Sequence, residues 1–373
     1  MLPYTGDYTE HIDPEKPNLT FYSFTPRPLM RGDMYQMDDE LAALLIEAHR
    51  NIGFLEGLVK YAPNKEAFAE LILLKECTYS HMIDYDSPDF IEVLTSRGTG
   101  KGNITPITNL EAAYKAAVNL EINAHNLSRI CGIALNGESE DNSIGVRDHQ
   151  TFWLGAKTNL KGYNPTAPDA VLPALAGISA YLYNDHNTDP LIKAALVHYQ
   201  FEMIHPFERY NGIIGRILVP MVLRDVIGDA RQLICLSECL YHNKNEYFDL
   251  LRTTQYSGGY IRWIKFFVNA VGEAAKRSAE MLMKYALLVA EDWEQLIGVG
   301  NLPRSVFSVY EFLKKCLIIS SPSAVTGTGL SFNSVSKALH ILKEYGIVSQ
   351  MGYGERNRMW AHRLFDNWFD SGL

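Results

Sequence analysis

Apolar side chains at a spacing of three to four residues dominate the chain from about residue 38 to residue 298. The first such stretch carries Leu41, Leu44, Leu45, Ala48, Ile52, Leu55 and Leu58. This spacing places the apolar groups on one face of a helix, so it predicts amphipathic helices that share a buried core. Asp38 or Asp39 is suited to cap the first helix. We therefore expect a mainly α-helical fold.

The same pattern predicts further helices along the chain. They are expected at about 65–83, 109–134, 169–185, 189–204, 212–227, 244–257 and 259–298. Residues 1–37 are rich in Pro and Tyr and predict an extended arm lying on the body of the protein. Residues 136–168 are dense in Gly, Asn, Asp, Ser and Pro, which predicts loops with a small hairpin.

Composition excludes several classes of protein. The net charge of the 373-residue chain is −9, so the whole protein is not a general polyanion binder, although a basic patch in one domain stays compatible with it. Five cysteines without CxxC spacing argue against a disulfide framework or a structural zinc site. We find no signal-peptide pattern and no run of about 18 apolar residues. We therefore expect a cytoplasmic protein without a membrane span.

The last 70 or so residues have a different pattern. After a linker at Asn301–Arg304, helices are expected at about 305–316, after the Ser320–Val325 turn, and from Ser331. Two strand-like segments around a polar turn follow, and together these elements predict a winged helix-turn-helix domain. Its candidate DNA contacts are Lys337, Lys343, Arg356 and Arg358. Four basic residues are few for DNA, so a protein-interaction module remains the alternative.

The segment from His205 to Arg216 carries the strongest chemical signal. Pro206 ends the preceding helix at His205, and Asn211 is suited to cap the next one, whose first turn contains Gly212. A helix N-terminus presents unpaired N–H groups that favour phosphate. Arg216 can reach the same anion, and His205 can act as a general base. Each residue alone is more often structural, but together they predict a phosphate site.

This segment resembles the signature of the Fic family, His-Pro-Phe-x-(Asp/Glu)-Gly-Asn-Gly-Arg-x-x-Arg. The surrounding chain is similar too, at Gly145–Arg147, Trp153–Gly155, Ala194–Ile204, Leu236–Glu238 and Asn243–Tyr247. The resemblance implies a Fic-type helical bundle with a small β-hairpin flap. It also implies an N-terminal arm and helical domain over 1–108, a Fic core over 109–298 and a winged helix domain over 299–373.

The resemblance further implies an activity, the transfer of AMP from ATP to a hydroxyl group of a target protein. His205 would be the catalytic base, Phe207 would anchor the loop, and Arg216 would hold the γ-phosphate. Residues of the phosphate cradle would be Asn211, Gly212 and Gly215. The target would add as a strand to a flap around 156–163. A homodimer is also expected, because two-fold dimers are the commonest oligomers.

The motif departs from the family pattern at three positions. Arg209 replaces the carboxylate that holds Mg²⁺ in the family, and an arginine cannot ligate a hard cation. Tyr210 replaces a glycine and Ile213 replaces the first arginine. Arg209 could pair directly with phosphate oxygens, Glu208 could supply a carboxylate from a shifted loop, or Arg209 could face solvent in a decayed site. Altered nucleotide chemistry, ordinary AMP transfer and a silent core beside a DNA-binding domain all stay open.

The segment Ser80–Tyr85 resembles the inhibitory motif (Ser/Thr)-x-x-x-Glu-(Gly/Asn) of the family. Asp84 stands at the Glu position, and Tyr85 replaces the small residue. The resemblance implies that Ser80 and Asp84 are inhibitory residues, and it predicts contact between Asp84 and Arg216. The alternative is a helix-terminal Asp84 that points to water. His198 is expected to be a core histidine.

Overall fold

A computed structural model of the chain describes residues 5–12, 20–29, 34–139, 143–151, 164–351 and 358–365. The mainly helical fold is confirmed in these residues. The helices of the first two thirds are α1 (Asp39–Tyr61), α2 (Lys65–Asp84), α3 (Phe90–Thr99), α4 (Thr105–Ala117), α5 (Ala124–Asn136), α6 (Pro168–Asn184), α7 (Pro190–Ile204), α8 (Asn211–Val222), α9 (Arg224–Ile227), α10 (Leu236–His242) and α11 (Lys244–Ser257). A 3₁₀ segment, Gly228–Leu233, follows α9, and the long helix α12 (Tyr260–Gly298) ends this part.

Helices α1 and α12 pack along each other and form the spine of the molecule. The side chain of Asp38 accepts a hydrogen bond from the backbone N–H of Leu41 at 2.8 Å, which confirms it as the cap of α1. The two helices approach closely at Gly272, where an added Cβ would lie 2.9 Å from Ala48. Glycine is therefore required at this crossing.

The N-terminal arm is a β-hairpin. Strands β1 (Gly6–Ile12) and β2 (Thr20–Pro26) pair antiparallel, with Gly6 opposite Pro26. The hairpin lies on the body, since the backbone N–H of Phe24 donates to the carbonyl of Asn164 at 3.1 Å and Phe24 itself is buried. The expected contact with the body is correct, but the Pro-rich composition concealed the pairing of two strands.

Several helix boundaries differ from the sequence prediction. The helix expected over 109–134 is two helices, α4 and α5, and the second begins where the side chain of Asn123 caps the N–H of Asn126 at 2.9 Å. A polar N-cap between two apolar stretches is the signal that the prediction overlooked. The short helices α3 and α10 were not predicted, and the helix expected over 212–227 ends at Val222.

The C-terminal part contains α13 (Arg304–Cys316), α14 (Ser321–Thr328) and α15 (Phe332–Glu344). Strands β3 (Ile318–Ser320), β4 (Val348–Met351) and β5 (Met359–His362) form an antiparallel sheet in the order β3-β5-β4. The first and third predicted helices and both predicted strands are present, whereas the predicted Ser320–Val325 turn was wrong, because these residues form the start of α14 with Ser320 as its cap. The short β3 was not predicted. Arg356 lies outside the described residues, and the winged helix class stays a prediction.

Two hydrophobic clusters divide the interior. The larger one extends from β2 through most of α12 and includes Ile318 of β3 and Ala361 of β5. The smaller one joins α13, α14 and α15 to the opposite side of the same sheet, at Ile319, Val348 and Trp360. Buried Asp292 of α12 links the two parts, because it accepts hydrogen bonds from His362 at 2.7 Å and Tyr310 at 3.0 Å. The proposed domain boundaries at 108 and 298 remain predictions. Among the described helices, none has both the length and the apolarity needed to cross a bilayer.

Candidate active site

The loop between α7 and α8 carries the candidate site. His205 directly follows α7 with φ 52°, and Tyr210 directly precedes α8 with φ 65°. Both residues occupy the left-handed region, which costs a side-chain-bearing residue about 1–2 kcal/mol. The loop therefore depends on surrounding contacts to hold this conformation. Phe207 supplies one of them as a fully buried side chain, as the resemblance implies.

Asn211 does not cap α8, contrary to the sequence prediction. It is the first residue of the helix, and Tyr210 occupies the cap position without a side-chain cap bond. The Asn211 side chain turns back to the loop instead. Its Oδ1 accepts from the backbone N–H of Phe207 at 2.8 Å, and its Nδ2 donates to the carbonyl of Phe207 at 2.7 Å. Asn211 thus fixes the shape of the loop with both groups of its amide.

Arg147 supports the same loop from beneath. Its Nε donates to the carbonyl of His205 at 2.7 Å and its Nη2 to the carbonyl of Ile204 at 3.2 Å, with a further bond to the carbonyl of Thr166. The side chain is buried, which lowers the pKa of Arg147 to about 10. Sequence reasoning placed Arg147 in a family-like segment but gave it no role. The sequence around Arg147 does not show which backbone carbonyls its side chain will bond, because they belong to segments that are distant along the chain.

The predicted contact between Asp84 and Arg216 is present. Arg216 Nη2 donates to Asp84 Oδ2 at 2.6 Å and to the carbonyl of Ser80 at 2.7 Å, and its Nε donates to Ser80 Oγ at 2.9 Å. Arg216 is fully buried, whereas the Asp84 side chain is 22% exposed. Burial alone would lower the pKa of Arg216, but the charge of Asp84 leaves it raised.

Gly212 makes room for the shorter acid. A Cβ added at Gly212 would lie 2.8 Å from Asp84 Oδ2 and 3.0 Å from Arg216 Nη1. The missing side chain therefore lets the Asp84 carboxylate approach the first turn of α8. This close approach compensates for the methylene that aspartate lacks relative to glutamate.

Three aromatic rings pack beside this ion pair. Tyr85 and Tyr210 meet edge to face with ring centroids 5.2 Å apart, and His81 stacks on Tyr85 at 4.9 Å. Tyr85 and Tyr210 are the two residues that replace small ones in the family patterns. Burial lowers the pKa of His81, so its ring is neutral near pH 7. Tyr85 and Tyr210 are thus in direct contact. In the sequence they were two separate departures from the family patterns.

A cavity of about 240 Å³ opens over these residues. Its lining comprises Asp84, Tyr85, Glu202, His205, Glu208, Arg209, Tyr210, Asn211, Gly212, Arg216, Tyr247 and Phe248. Of the predicted site residues, Gly215 and Ser80 do not line it. Gly215 faces α7 instead, since an added Cβ would lie 2.3 Å from Glu202 Oε1. Ser80 holds the Arg216 side chain from within α2.

Two titratable groups that line the cavity, His205 and Glu202, are neutral near pH 7. Burial, together with the charge of Arg147, lowers the pKa of His205 to about 3. Burial raises the pKa of Glu202 to about 8. Sequence reasoning assigned Glu202 no role, although it lies within the family-like helix. A neutral His205 has a ring nitrogen that can accept a proton.

His198 is a core histidine, as predicted. It is fully buried, and its Nδ1 donates to the carbonyl of Gly215 at 2.8 Å. The Tyr247 hydroxyl donates to its Nε2 at 2.9 Å. Burial lowers the pKa of His198 to about 3, so the ring stays neutral. Both nitrogens are therefore engaged in packing α7 against α8 and α11.

The residues present do not fit a magnesium ion. Arg209 is exposed on the rim where the family places its carboxylate. The Glu208 side chain is 67% exposed, and its Oε1 lies 4.0 Å from Nδ1 of His149. No group of three or more His, Cys, Asp or Glu side chains suited to a metal occurs among the described residues. Of the other two acids that line the cavity, Asp84 is paired with Arg216, and Glu202 is protonated near pH 7.

Comparison with known proteins extends these observations. Residues 120–223 match the model of the Fic/DOC family. A protein adenylyltransferase of Caenorhabditis briggsae is 38% identical over 64 residues, which cover 16% of this chain and 12% of that protein. A probable protein adenylyltransferase of Aquifex aeolicus is 29% identical over 177 residues, which cover 42% of this chain and 52% of that protein. The chain thus corresponds to about half of one relative and a small part of the other.

The fold also matches a solved structure. A Fic family protein from Desulfovibrio desulfuricans aligns with a TM-score of 0.56 at 16% identity, over 88% of this chain and 98% of that one. The predicted flap at 156–163, with Trp153 and Gly155, lies outside the described residues. The match at 120–223 includes Arg147 and the whole His205–Arg216 loop. Residues 120–223 of this chain therefore form a Fic/DOC family domain.

Proposed function

We propose that this chain transfers AMP from ATP to a hydroxyl group of a protein, with an arginine in place of the usual metal-binding acid. One observation carries the proposal, the buried Arg216 guanidinium at the floor of the cavity, whose charge is paired with the partly exposed carboxylate of Asp84. A buried cation requires an anionic partner. The terminal phosphate of ATP is the anion that would replace Asp84 there.

His205 is the proposed base. It lies in the lining of the same cavity and is neutral, so it can take the proton of the attacking hydroxyl. The hydroxyl oxygen bonds to the α-phosphorus, the bond from that phosphorus to the bridging oxygen breaks, and pyrophosphate leaves. The negative charge of bound ATP raises the pKa of His205 from its low value, which strengthens the base when substrate is present.

Arg209 is the proposed electrostatic partner of the phosphates. Its side chain is exposed on the cavity rim, one residue before Tyr210, and carries a fixed positive charge. A guanidinium can donate two parallel hydrogen bonds to a phosphate. It neutralises charge without the geometry that a metal demands, so the proposed reaction is slower than that of a carboxylate-bearing motif.

Incubation with ATP labelled at the α-phosphate tests this proposal. We expect little label on protein with the wild type, because Asp84 occupies Arg216, and clear transfer with Asp84→Gly. His205→Ala in the Asp84→Gly background should abolish transfer while leaving ATP binding measurable by calorimetry. Asp86→Gly, an exposed acid two residues away, is the matched control and should behave as the wild type. Absence of label transfer in Asp84→Gly contradicts the proposal, whether or not ATP still binds.

A second function concerns the C-terminal part. Helix α15 exposes Asn333, Lys337 and Lys343, which is the pattern of a helix that contacts DNA. The measurement is binding of duplex DNA as a function of salt concentration. Lys337→Ala should weaken binding and flatten the salt dependence by about one charge. DNA binding that changes neither with salt concentration nor with Lys337→Ala excludes this second function.

A further inference from the structure

A second cavity, of about 290 Å³, lies beside the candidate active site. It is bounded by α2, α4, α8 and the 3₁₀ segment Gly228–Leu233. Arg216 lines both cavities, and it is the one described residue that they share. Exposed side chains, among them Glu66 and Lys115, stand at the edge of the second cavity, so it opens to solvent. A small molecule can therefore enter it without unfolding of the chain.

The wall of the second cavity is mostly apolar. It is formed by side chains that include Leu73, Val118, Ile217, Pro220, Met221 and Ile234. Binding sites for small molecules are typically concave and apolar, with a few polar groups. An apolar cavity of about 150 Å³ holds one benzene molecule, so about twice that volume has room for roughly ten carbon atoms. Removal of this wall from water is a driving force for binding.

Two polar side chains line the buried part of the second cavity. Glu76 is 6% exposed and Tyr114 is 8% exposed, and the Tyr114 hydroxyl donates to Glu76 Oε1 at 2.7 Å. Ser237 donates its hydroxyl to Oε1 at 2.5 Å and its backbone N–H to Oε2 at 2.8 Å. A carboxylate has about four acceptor sites, so these three bonds leave Glu76 able to accept one more. A ligand hydroxyl both donates and accepts, so it suits this acid in either protonation state.

The charges around the second cavity do not favour a charged ligand. Its edge carries two acids and two bases whose charges balance, Glu66, Glu70, Lys115 and Arg231. For an anion, the charge of Arg216 is already matched by Asp84. For a cation, the buried acid is Glu76, and burial raises its pKa so that the neutral form is favoured. An ion in this apolar interior would lose its hydration without gaining a full counter-charge, which costs far more than burial of a neutral group.

We propose that the second cavity binds a neutral molecule with an apolar body of roughly ten carbon atoms and one hydroxyl group, which bonds to Glu76. The apolar body covers the wall formed by α2, α4 and α8. The hydroxyl group fixes the orientation of the ligand, because it finds its partner in the buried part of the cavity.

Occupancy of the second cavity also stabilises the contact between α2 and Arg216. Leu73 and Glu76 of α2 line the second cavity. Ser80 and Asp84 follow on the same face of α2 at four-residue steps, and both bind Arg216. A ligand packed between α2 and α8 binds the arrangement in which both walls are in place, so it stabilises that arrangement. Bound ligand therefore holds Asp84 against Arg216.

Calorimetric titration of 1-octanol into the full-length protein, without ATP, tests the site. Affinity should rise about fourfold for each methylene from 1-butanol to 1-octanol, because each added methylene is buried against the apolar wall. Octanoate and octylammonium have the same chain and should bind at least about tenfold more weakly. Failure of 1-octanol to bind at about 1 mM, or binding of either ion as tightly as 1-octanol, overturns the proposal.

Variants that fill the second cavity locate the bound alcohol. Ala69→Phe places a ring in the cavity from α2, and Val118→Trp fills it from the end of α4. Each should weaken 1-octanol binding about tenfold or more, because the octyl chain loses its space. Ala43→Phe, at an exposed position of α1, is the matched control and should bind as the wild type does. Wild-type affinity in a cavity variant that keeps its helical circular dichroism overturns the assignment.

Hydrogen exchange tests the effect on α2. At about ten times its dissociation constant, 1-octanol should slow exchange of the backbone amides of residues 80–85 about tenfold, because opening of this turn must then release the ligand. The same concentration should leave exchange in Ala69→Phe unchanged. Unchanged exchange in the wild type with 1-octanol bound overturns the link between the cavity and α2. Neither measurement uses ATP, so its outcome is separate from that of the test for AMP transfer.

Discussion

Tyr85 and Tyr210 pack edge to face with their ring centroids 5.2 Å apart, and they join the end of α2 to the loop before α8. Each replaces a small residue of the family pattern that its segment resembles. Their contact lies beside the ion pair between Asp84 and Arg216, so α2 is held to the site by an aromatic pair as well as by charge. Release of Asp84 alone leaves the aromatic contact in place.

We therefore expect Tyr85→Asn to add to the effect of Asp84→Gly on ATP binding. An edge-to-face aromatic pair contributes about 0.5–1.5 kcal/mol beyond its buried area, which corresponds to about a 2- to 10-fold gain in affinity when it is removed. Calorimetric titration of ATP into Asp84→Gly and into the double variant D84G/Y85N measures this ratio of affinities. Tyr183→Asn in the Asp84→Gly background is the control, because Tyr183 is exposed on α6. Equal affinities of the single and double variants contradict the role given to Tyr85.

The sequence was sufficient to predict features that depend on local pattern. The helical fold, the cap at Asp38 and the ion pair between Asp84 and Arg216 follow from periodicity or from a motif that resembles a known one. The contact between Tyr85 and Tyr210 could not be predicted, because it joins residues 125 positions apart by number. Arg147 was missed for the same reason, since its carbonyl partners come from distant segments.

The prediction that Asn211 caps α8 was wrong for a different reason. An asparagine before a glycine is compatible with a helix cap, with a phosphate ligand and with a bridge to its own loop. Sequence spacing does not distinguish them, because the choice depends on whether the loop folds back within reach of the side chain. In the structure Phe207 presents both its N–H and its carbonyl to the amide, which satisfies both of its groups.

Asn211→Ala should destabilise the protein by about 2–4 kcal/mol, because it leaves two buried backbone groups of Phe207 without partners. Urea denaturation followed by circular dichroism measures the free energy of unfolding. Asn184→Ala removes an exposed side chain that bonds to the carbonyl of Ala180, and its cost should stay below about 0.5 kcal/mol. If Asn211→Ala and Asn184→Ala lower the free energy of unfolding by the same small amount, Asn211 does not determine the shape of the loop.

Because Arg209 stands where a metal-binding acid would be, we expect that ATP binding does not depend on Mg²⁺. In the Asp84→Gly background, ATP affinity should change by less than about twofold between excess Mg²⁺ and EDTA, because the motif offers a cation where a metal ligand would stand. Arg209→Asp supplies a carboxylate at that position, so its affinity should rise about tenfold on addition of Mg²⁺. Arg209→Gln removes the charge without adding a ligand and should weaken binding equally in both conditions. A strong Mg²⁺ dependence with Arg209 intact contradicts the proposed replacement.

Glu202 makes stability depend on pH in a direction opposite to that of an ordinary acid. Burial raises the pKa of its carboxyl to about 8, whereas an unfolded glutamate titrates near about 4.3. Between these values the folded state keeps a proton that the unfolded state has lost, so stability falls as pH rises and becomes constant above about pH 8. From pH 5 to pH 8 this costs the wild type up to about 4 kcal/mol. Glu202→Gln cannot titrate, so its free energy of unfolding should fall less over the same range.

Urea denaturation of the wild type and of Glu202→Gln at pH 5 and pH 8 measures the difference. Glu208→Gln serves as the control, because the Glu208 side chain is mostly exposed and lies on the rim of the same cavity. The control should keep the wild-type pH dependence.

Since Glu202 lies against Gly215 and lines the cavity floor, its deprotonation places a negative charge where the phosphates of ATP are proposed to bind. ATP affinity of the Asp84→Gly variant should therefore weaken as pH rises and Glu202 loses its proton, and Glu202→Gln in that background should remove the loss. The loss should begin below the pH at which Glu202 titrates in the wild type, because the charge of Asp84 no longer raises its pKa. An affinity that is unchanged between about pH 6 and pH 9, with Glu202 intact, excludes this effect.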